Sequence, residues 1–118
     1  MELLTQINRK LPADENSNKI ISKLKEIIFN YDKTSEIILF GSRARGDWSN
    51  ESDWDFLILT GIILTEKCKD ELRIKILNQI ELPLDETVFV IVKNKIDWED
   101  SYAVTNIYQS ISEDGIAV

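Results

Sequence analysis

The chain has 118 residues, 43% of them hydrophobic, enough for one compact domain with a real core and too few for two. Its 21 acidic and 14 basic residues give a net charge of −7, which argues against holding nucleic acid by a general positive field and suits a basic protein partner better. There is no histidine and only one cysteine, Cys68, so disulfide frameworks, cysteine zinc sites and His-based catalysis are excluded, and any chemistry must run on carboxylates, hydroxyls, backbone amides, Lys and Arg.

In chain order, MELLTQINRK lacks the layout of a signal peptide. Ile20, Ile21, Leu24, Ile27 and Ile28 recur at helical spacing and predict an amphipathic helix over 16–30, capped by Asp14 or Ser17. EIILF at 36–40 is a short continuous apolar run of strand length, and a second run from Trp54 to Thr60 reads the same way. The longest apolar stretch, FLILTGIIL at 56–64, falls well short of the ~20 residues a membrane span needs, so a soluble cytoplasmic protein with no membrane contact is expected. Cys68, Leu72, Ile76 and Ile80 lie four apart and predict a helix over 66–80, with Thr65 as N-cap and a stop before Pro83. TVFVIVK at 87–93 is the clearest strand signal. Trp98, Tyr102, Ile107 and Ile111 keep near-helical spacing up to Gly115, a C-terminal stop.

The order helix, strand, strand, helix, strand, helix implies a small α/β (α+β) domain, a mixed sheet of three or more strands with helices packed on one face. One domain is expected over 1–118, its core over about 17–118. No helical period fills the gap between the first two strands, so GSRARGDWSNESD is an elaborated connection, and long loops inside compact domains are usually functional.

Gly41, directly after a strand, permits a sharp turn and close approach of backbone N–H groups to a ligand, and Ser42 adds a hydroxyl. A short helix over 42–45 would open on an N-terminus suited to phosphate. By itself a Gly-Ser turn is unspecific. Asp53 and Asp55, at i and i+2 at the entry of the second strand, point to the same face about 7 Å apart at the backbone. Two such charges call for an offsetting cation, and Mg²⁺ is the natural one because it takes carboxylate oxygens and keeps positions for phosphate oxygens. The alternative is a strand start with Asp55 facing water. A phosphate turn and a carboxylate pair within fifteen residues make the two halves of a nucleoside triphosphate site.

GSRARGDWSNESDWD, with ten residues between Gly41-Ser42 and Asp53-x-Asp55, resembles the signature of the minimal nucleotidyltransferase (MNT) domains of the DNA polymerase β superfamily. The Arg43-Ala44-Arg45-Gly46 continuation, Ser52, the apolar strand after Asp55 and the ending NIYQSISEDGI match as well, so the resemblance covers about residues 17–118. It implies transfer of a nucleoside monophosphate, AMP from ATP, to a hydroxyl with release of pyrophosphate. By that resemblance Gly41 and Ser42 bind the triphosphate, Asp53 and Asp55 hold the Mg²⁺ ions of a two-metal site, and Arg43 and Arg45 offset phosphate charge, an ion pair with surface carboxylates being the competing reading for each arginine. A third carboxylate from a later strand usually completes such a site. Asp85 and Glu86 are the only acids so placed; being adjacent they should point to opposite faces, so one at most serves, and Asp85 is favoured. Trp54 should face the other side of the sheet as core and Trp98 should pack, while Trp48 stands open to stacking on a base.

The resemblance further implies an antitoxin whose partner is a helical HEPN-type toxin, modified on a tyrosine hydroxyl. Two other functions stay open: an MNT-fold antitoxin that neutralises by binding alone, and a small-molecule, aminoglycoside-type nucleotidyltransferase working as a homodimer.

Overall fold

The computed structural model describes residues 15–49, 51–101 and 105–118. Helix α1 (Glu15–Phe29) leads through a turn into β1 (Glu36–Phe40), then comes a single helical turn α2 (Ser42–Arg45), β2 (Trp54–Thr60) and helix α3 (Glu66–Ile76). A π-helical stretch (Leu77–Glu81) and the turn α4 (Leu82–Leu84) follow, then β3 (Val88–Asn94), helices α5 (Lys95–Ser101) and α6 (Asn106–Asp114), and the short β4 (Ile116–Ala117). The helices and strands expected between residues 15 and 94 are found within one or two residues, apart from the end of α3. Of the two expected caps of α1, Asp14 lies outside the described residues and Ser17 is inside the helix. Thr65 caps α3 as expected, its side chain accepting from the Cys68 N–H at 3.1 Å.

Beyond the capping of α1, three elements differ from the sequence reading. The helix predicted over 66–80 loosens into a π turn just ahead of Pro83, whose ring would crowd the carbonyl four residues back in a regular α-helix. The single last helix is two: Thr105 starts the second by accepting from the Tyr108 N–H at 3.2 Å, and Tyr102 lies outside the described residues. The strand β4 was not expected at all.

The sheet is mixed, in the order β3-β2-β1-β4. β1 and β2 are antiparallel with Phe40 opposite Asp55, β2 and β3 are parallel with Asp55 in register with Phe89, and β4 pairs antiparallel with β1. The larger core lies under one face, where Ile20, Leu24 and Ile28 of α1 and Leu72 and Ile76 of α3 meet Ile37, Leu39, Trp54, Phe56 and Ile58. The expectation of helices on one face only is corrected. Trp98 of α5 and Ile111 of α6 close the opposite face over Ile38, Leu57 and Leu59. Strands covered on both sides are buried on both sides, which is why β1 and β2 read as continuous apolar runs.

Asp32 ties the sheet's far end together. Its carboxylate accepts from the N–H and hydroxyl of Thr34 at 2.9 and 2.7 Å and from the N–H groups of Gly61 and Ile62 at 2.7 and 3.2 Å, joining the entry to β1 with the exit from β2. These donors hold its pKa at about 2, below the ordinary 3.8.

Candidate active site

The site forms where β1 ends and β2 begins. Gly41 sits at φ 75° and ψ −160°, a conformation that glycine alone adopts without strain. A Cβ there would collide with the Asp55 carboxylate. The chain therefore turns with its bare backbone laid against that carboxylate, and the turn is braced by the N–H groups of Ala44 and Arg45, both donating to the Gly41 carbonyl at 3.0 Å. Gly46, at φ 92°, ends α2 in the left-handed conformation and sends the chain toward β2.

Asp53 is exposed just before β2 and Asp55 is partly buried as its second residue. By the pleat, Asp55 shares a side with Leu57 and Leu59, the side covered by α5 and α6. Burial pushes its pKa upward, the neighbouring Asp53 charge adds to the rise, and Arg45 opposes it. Arg45 is thus the arginine on the carboxylate side. Its Nε lies 3.4 Å from Asp47 and its Nη1 3.7 Å from Asp114 at the end of α6.

Arg43 is placed otherwise. Its side chain is only 3% exposed, and its guanidinium packs against two indole rings, 4.6 Å from the Trp48 centroid and 4.4 Å from that of Trp54. Its Nη2 donates to the Ser52 carbonyl at 3.0 Å and lies 3.8 Å from Glu86. Glu86 also accepts from the Trp54 indole N–H at 3.2 Å, which sets it on the core side of the sheet, away from Asp55. The sequence marked Trp54 as core and left Trp48 open; their shared role as a bed for Arg43 went unread. The readable signal was an arginine followed in the same loop by two tryptophans. Arg45's partner Asp114, far along the chain, left no such signal.

Asp85 is exposed and left-handed (φ 53°) in the turn ahead of β3. The Trp54 N–H donates to the Thr87 carbonyl at 2.9 Å, so that turn lies at the same end of the sheet as Asp53. The structure brings together Gly41, Ser42, Asp53, Asp55 and Arg45. It does not gather Asp85 or Glu86 with them: among the described residues no three His, Cys, Asp or Glu side chains stand close enough to hold a metal ion. The β3 residue in register with Asp55 is Phe89, half-exposed. The carboxylate pair, one member partly desolvated and opposed in charge by Arg45 alone among the described residues, would fit one divalent ion that keeps positions for phosphate oxygens and water.

Residues 22–106 match the family described as Polymerase beta, Nucleotidyltransferase. The chain belongs to that family. As a nucleotidyltransferase of the MNT type, it is 38% identical over 94 residues to the putative protein adenylyltransferase MJ0141 of Methanocaldococcus jannaschii, a match spanning 73% of this chain and 94% of that protein. It is also similar to a chain in the crystal structure of a toxin-antitoxin with AMP-PNP, at 26% identity and a TM-score of 0.59 over 88% of this chain and 72% of that one. A mutant form of the toxin-antitoxin MntA-HpeT resembles it equally, at 27% identity and a TM-score of 0.58 over 89% and 72% of the two chains. Among the described residues no helix is long and apolar enough to cross a membrane.

Proposed function

We propose that this nucleotidyltransferase moves AMP from ATP to a hydroxyl on a partner toxin, as the antitoxin of a two-protein pair. The observation that carries the reading is the close approach of Gly41 to the Asp55 carboxylate, which supports reading the turn as the phosphate site and the Asp53-Asp55 pair beside it as the metal site. The adenylyltransferase relative and the toxin-antitoxin neighbours, one with AMP-PNP, support the substrate and the partner. The resemblance to MNT domains supports reading that partner as a HEPN-type toxin and its acceptor as a tyrosine.

In this reading Ser42 and the backbone at Gly41 bind the triphosphate, and Arg45 faces its negative charge. Asp53 and Asp55 hold Mg²⁺, which when bound neutralises phosphate charge and lines up the displaced oxygens. The acceptor oxygen attacks the α-phosphorus, the bond to the bridging oxygen breaks, pyrophosphate leaves and the acceptor's proton passes to a carboxylate. Asp85, exposed in its turn at the same end of the sheet, is the acid proposed for that proton and for a second ion. Incubation with labelled ATP, Mg²⁺ and the product of the neighbouring gene tests this: label on the partner is expected, and an unlabelled partner that is nevertheless neutralised overturns the transferase reading. The second reading, an antitoxin that acts by binding alone, is favoured by the position of Phe89 beside Asp55 where a third acid would close the site.

A further inference from the structure

Asp53 is exposed, so its direction is set chiefly by the backbone that carries it. That backbone is held on both flanks by one side chain. Before Asp53, the Ser52 carbonyl accepts from Arg43 Nη2 at 3.0 Å; after it, the Trp54 ring carries the Arg43 guanidinium on its face at 4.4 Å. Glu86 closes the arrangement from β3, 3.8 Å from Arg43 Nη2 and accepting the Trp54 indole N–H at 3.2 Å, while Trp48 covers the guanidinium at 4.6 Å. Arg43 itself stands directly after Ser42, so it links the turn and the carboxylate through a buried span.

The link demands arginine. A flat cation can present its faces to indole rings and still donate in its plane to a carbonyl, whereas a lysine ammonium is a point donor that cannot do both. Arg43 Nε is buried with no hydrogen-bond partner among the described residues, so the side chain keeps this geometry at the cost of one unmet donor.

We propose that Arg43, clamped by Trp48, Trp54 and Glu86, is a positioning residue that fixes Asp53 relative to the Gly41-Ser42 turn and so sets the affinity of the site for a nucleotide-bound divalent ion. This rests on the reading of Asp53 and Asp55 as metal ligands. It also takes Arg43 out of the set of direct phosphate ligands.

The test uses the whole chain and Mn²⁺ as probe, its binding followed by electron paramagnetic resonance with a non-hydrolysable ATP analogue present, alongside the affinity for the same analogue in EDTA. Arg43→Lys is expected to weaken Mn²⁺ binding about 10- to 100-fold, as loss of groups that orient metal ligands does, with metal-free analogue affinity held within about threefold. Trp48→Ala, at a partly exposed position, should shift Mn²⁺ affinity in the same direction and Trp48→Phe should restore it. Mn²⁺ affinity within about twofold of wild type in both Arg43→Lys and Trp48→Ala overturns the proposal, and so does an equal fall in metal-free analogue affinity, which would mark Arg43 as a phosphate ligand. If Arg43→Lys does not fold, the two Trp48 variants decide by the same criteria. A wild-type chain that binds no Mn²⁺ with the analogue overturns the reading of the site, and the proposal falls with it.

Discussion

Gly41 shows how narrow the tolerance of the site is. Its positive φ strains any other residue, and the Asp55 carboxylate fills the space a side chain would need. Gly41→Ala should therefore cost about 1 to 3 kcal/mol in strain alone, read as a lower melting temperature, and should displace Asp55 enough to weaken Mg²⁺·ATP binding as well. At Asp55 the physics has the opposite sign. Burial and the Asp53 charge raise its pKa, so the folded chain binds that proton more tightly than the unfolded chain does. The ionised group is thus a stability deficit above its folded pKa, relieved as pH falls through that value. Asn at both Asp53 and Asp55 should leave the neutral-pH melting temperature unchanged or slightly raised and remove the further rise that Mg²⁺·ATP gives the wild type. A double variant with wild-type Mg²⁺·ATP affinity would exclude these carboxylates as metal ligands. Ser42→Ala should weaken triphosphate binding by about 1 to 2 kcal/mol, the scale of one hydrogen bond to a charged group, as isothermal titration would show.

At the level of elements, the connection between β1 and β2 is shaped by ties at both ends of the sheet: the site at one, Asp32 at the other. The four donors on Asp32 lower its pKa from 3.8 to about 2, so its contribution to stability is present above 3.8 and is lost as pH falls toward about 2. Asp32→Asn should lower the melting temperature at pH 7 and flatten its decline over the acid limb between pH 4 and pH 2; an unchanged limb would show that other carboxylates carry it. What the sequence made legible follows the same division between local and distant causes. α1, β1, β2 and β3 could be read because apolar period or apolar run marks each within its own residues. The second helical layer was written in the sequence too, since EIILF and FLILT have no polar face, yet the helix that covers them was taken for one element of a single layer. β4 has two residues and hence no period to detect. At the site, the Gly41-Ser42 turn and the Asp53-x-Asp55 pair are local patterns and were legible. The fate of Arg43 depended on Glu86, a neighbour only after β3 has paired with β2, and no local rule could assign it.

Over the whole molecule, the charge of −7 and the site at one end of a four-stranded sheet bear on how a partner would be used. An acidic surface favours encounter with a basic partner such as an RNA-binding toxin, with an on-rate that falls as salt rises. In the proposed reading, whether encounter leads to chemistry turns on the acids ahead of β3, and the structure gives them unlike surroundings. Glu86 is committed to Arg43 and Trp54, whereas Asp85 is exposed in the turn at the same end of the sheet as Asp53. Glu86→Gln should therefore lower stability by about 1 to 2 kcal/mol, because a charge-assisted acceptor for the Trp54 indole is lost, and should change transfer only as far as Asp53 shifts with Arg43. Asp85→Asn should leave the melting temperature alone and lower transfer of labelled AMP to the partner about 10² to 10⁴-fold, the usual loss for a general base, with nucleotide affinity less affected because Asp53 and Asp55 remain. Transfer at the wild-type rate by Asp85→Asn would mean that the proton goes elsewhere, and Phe89→Asp would then show whether the place beside Asp55 is the one a carboxylate has to fill. A gain in Mn²⁺ affinity and in transfer by that variant would make the natural chain a site built short of one ligand, and neutralisation by the unmodified chain would then rest on binding.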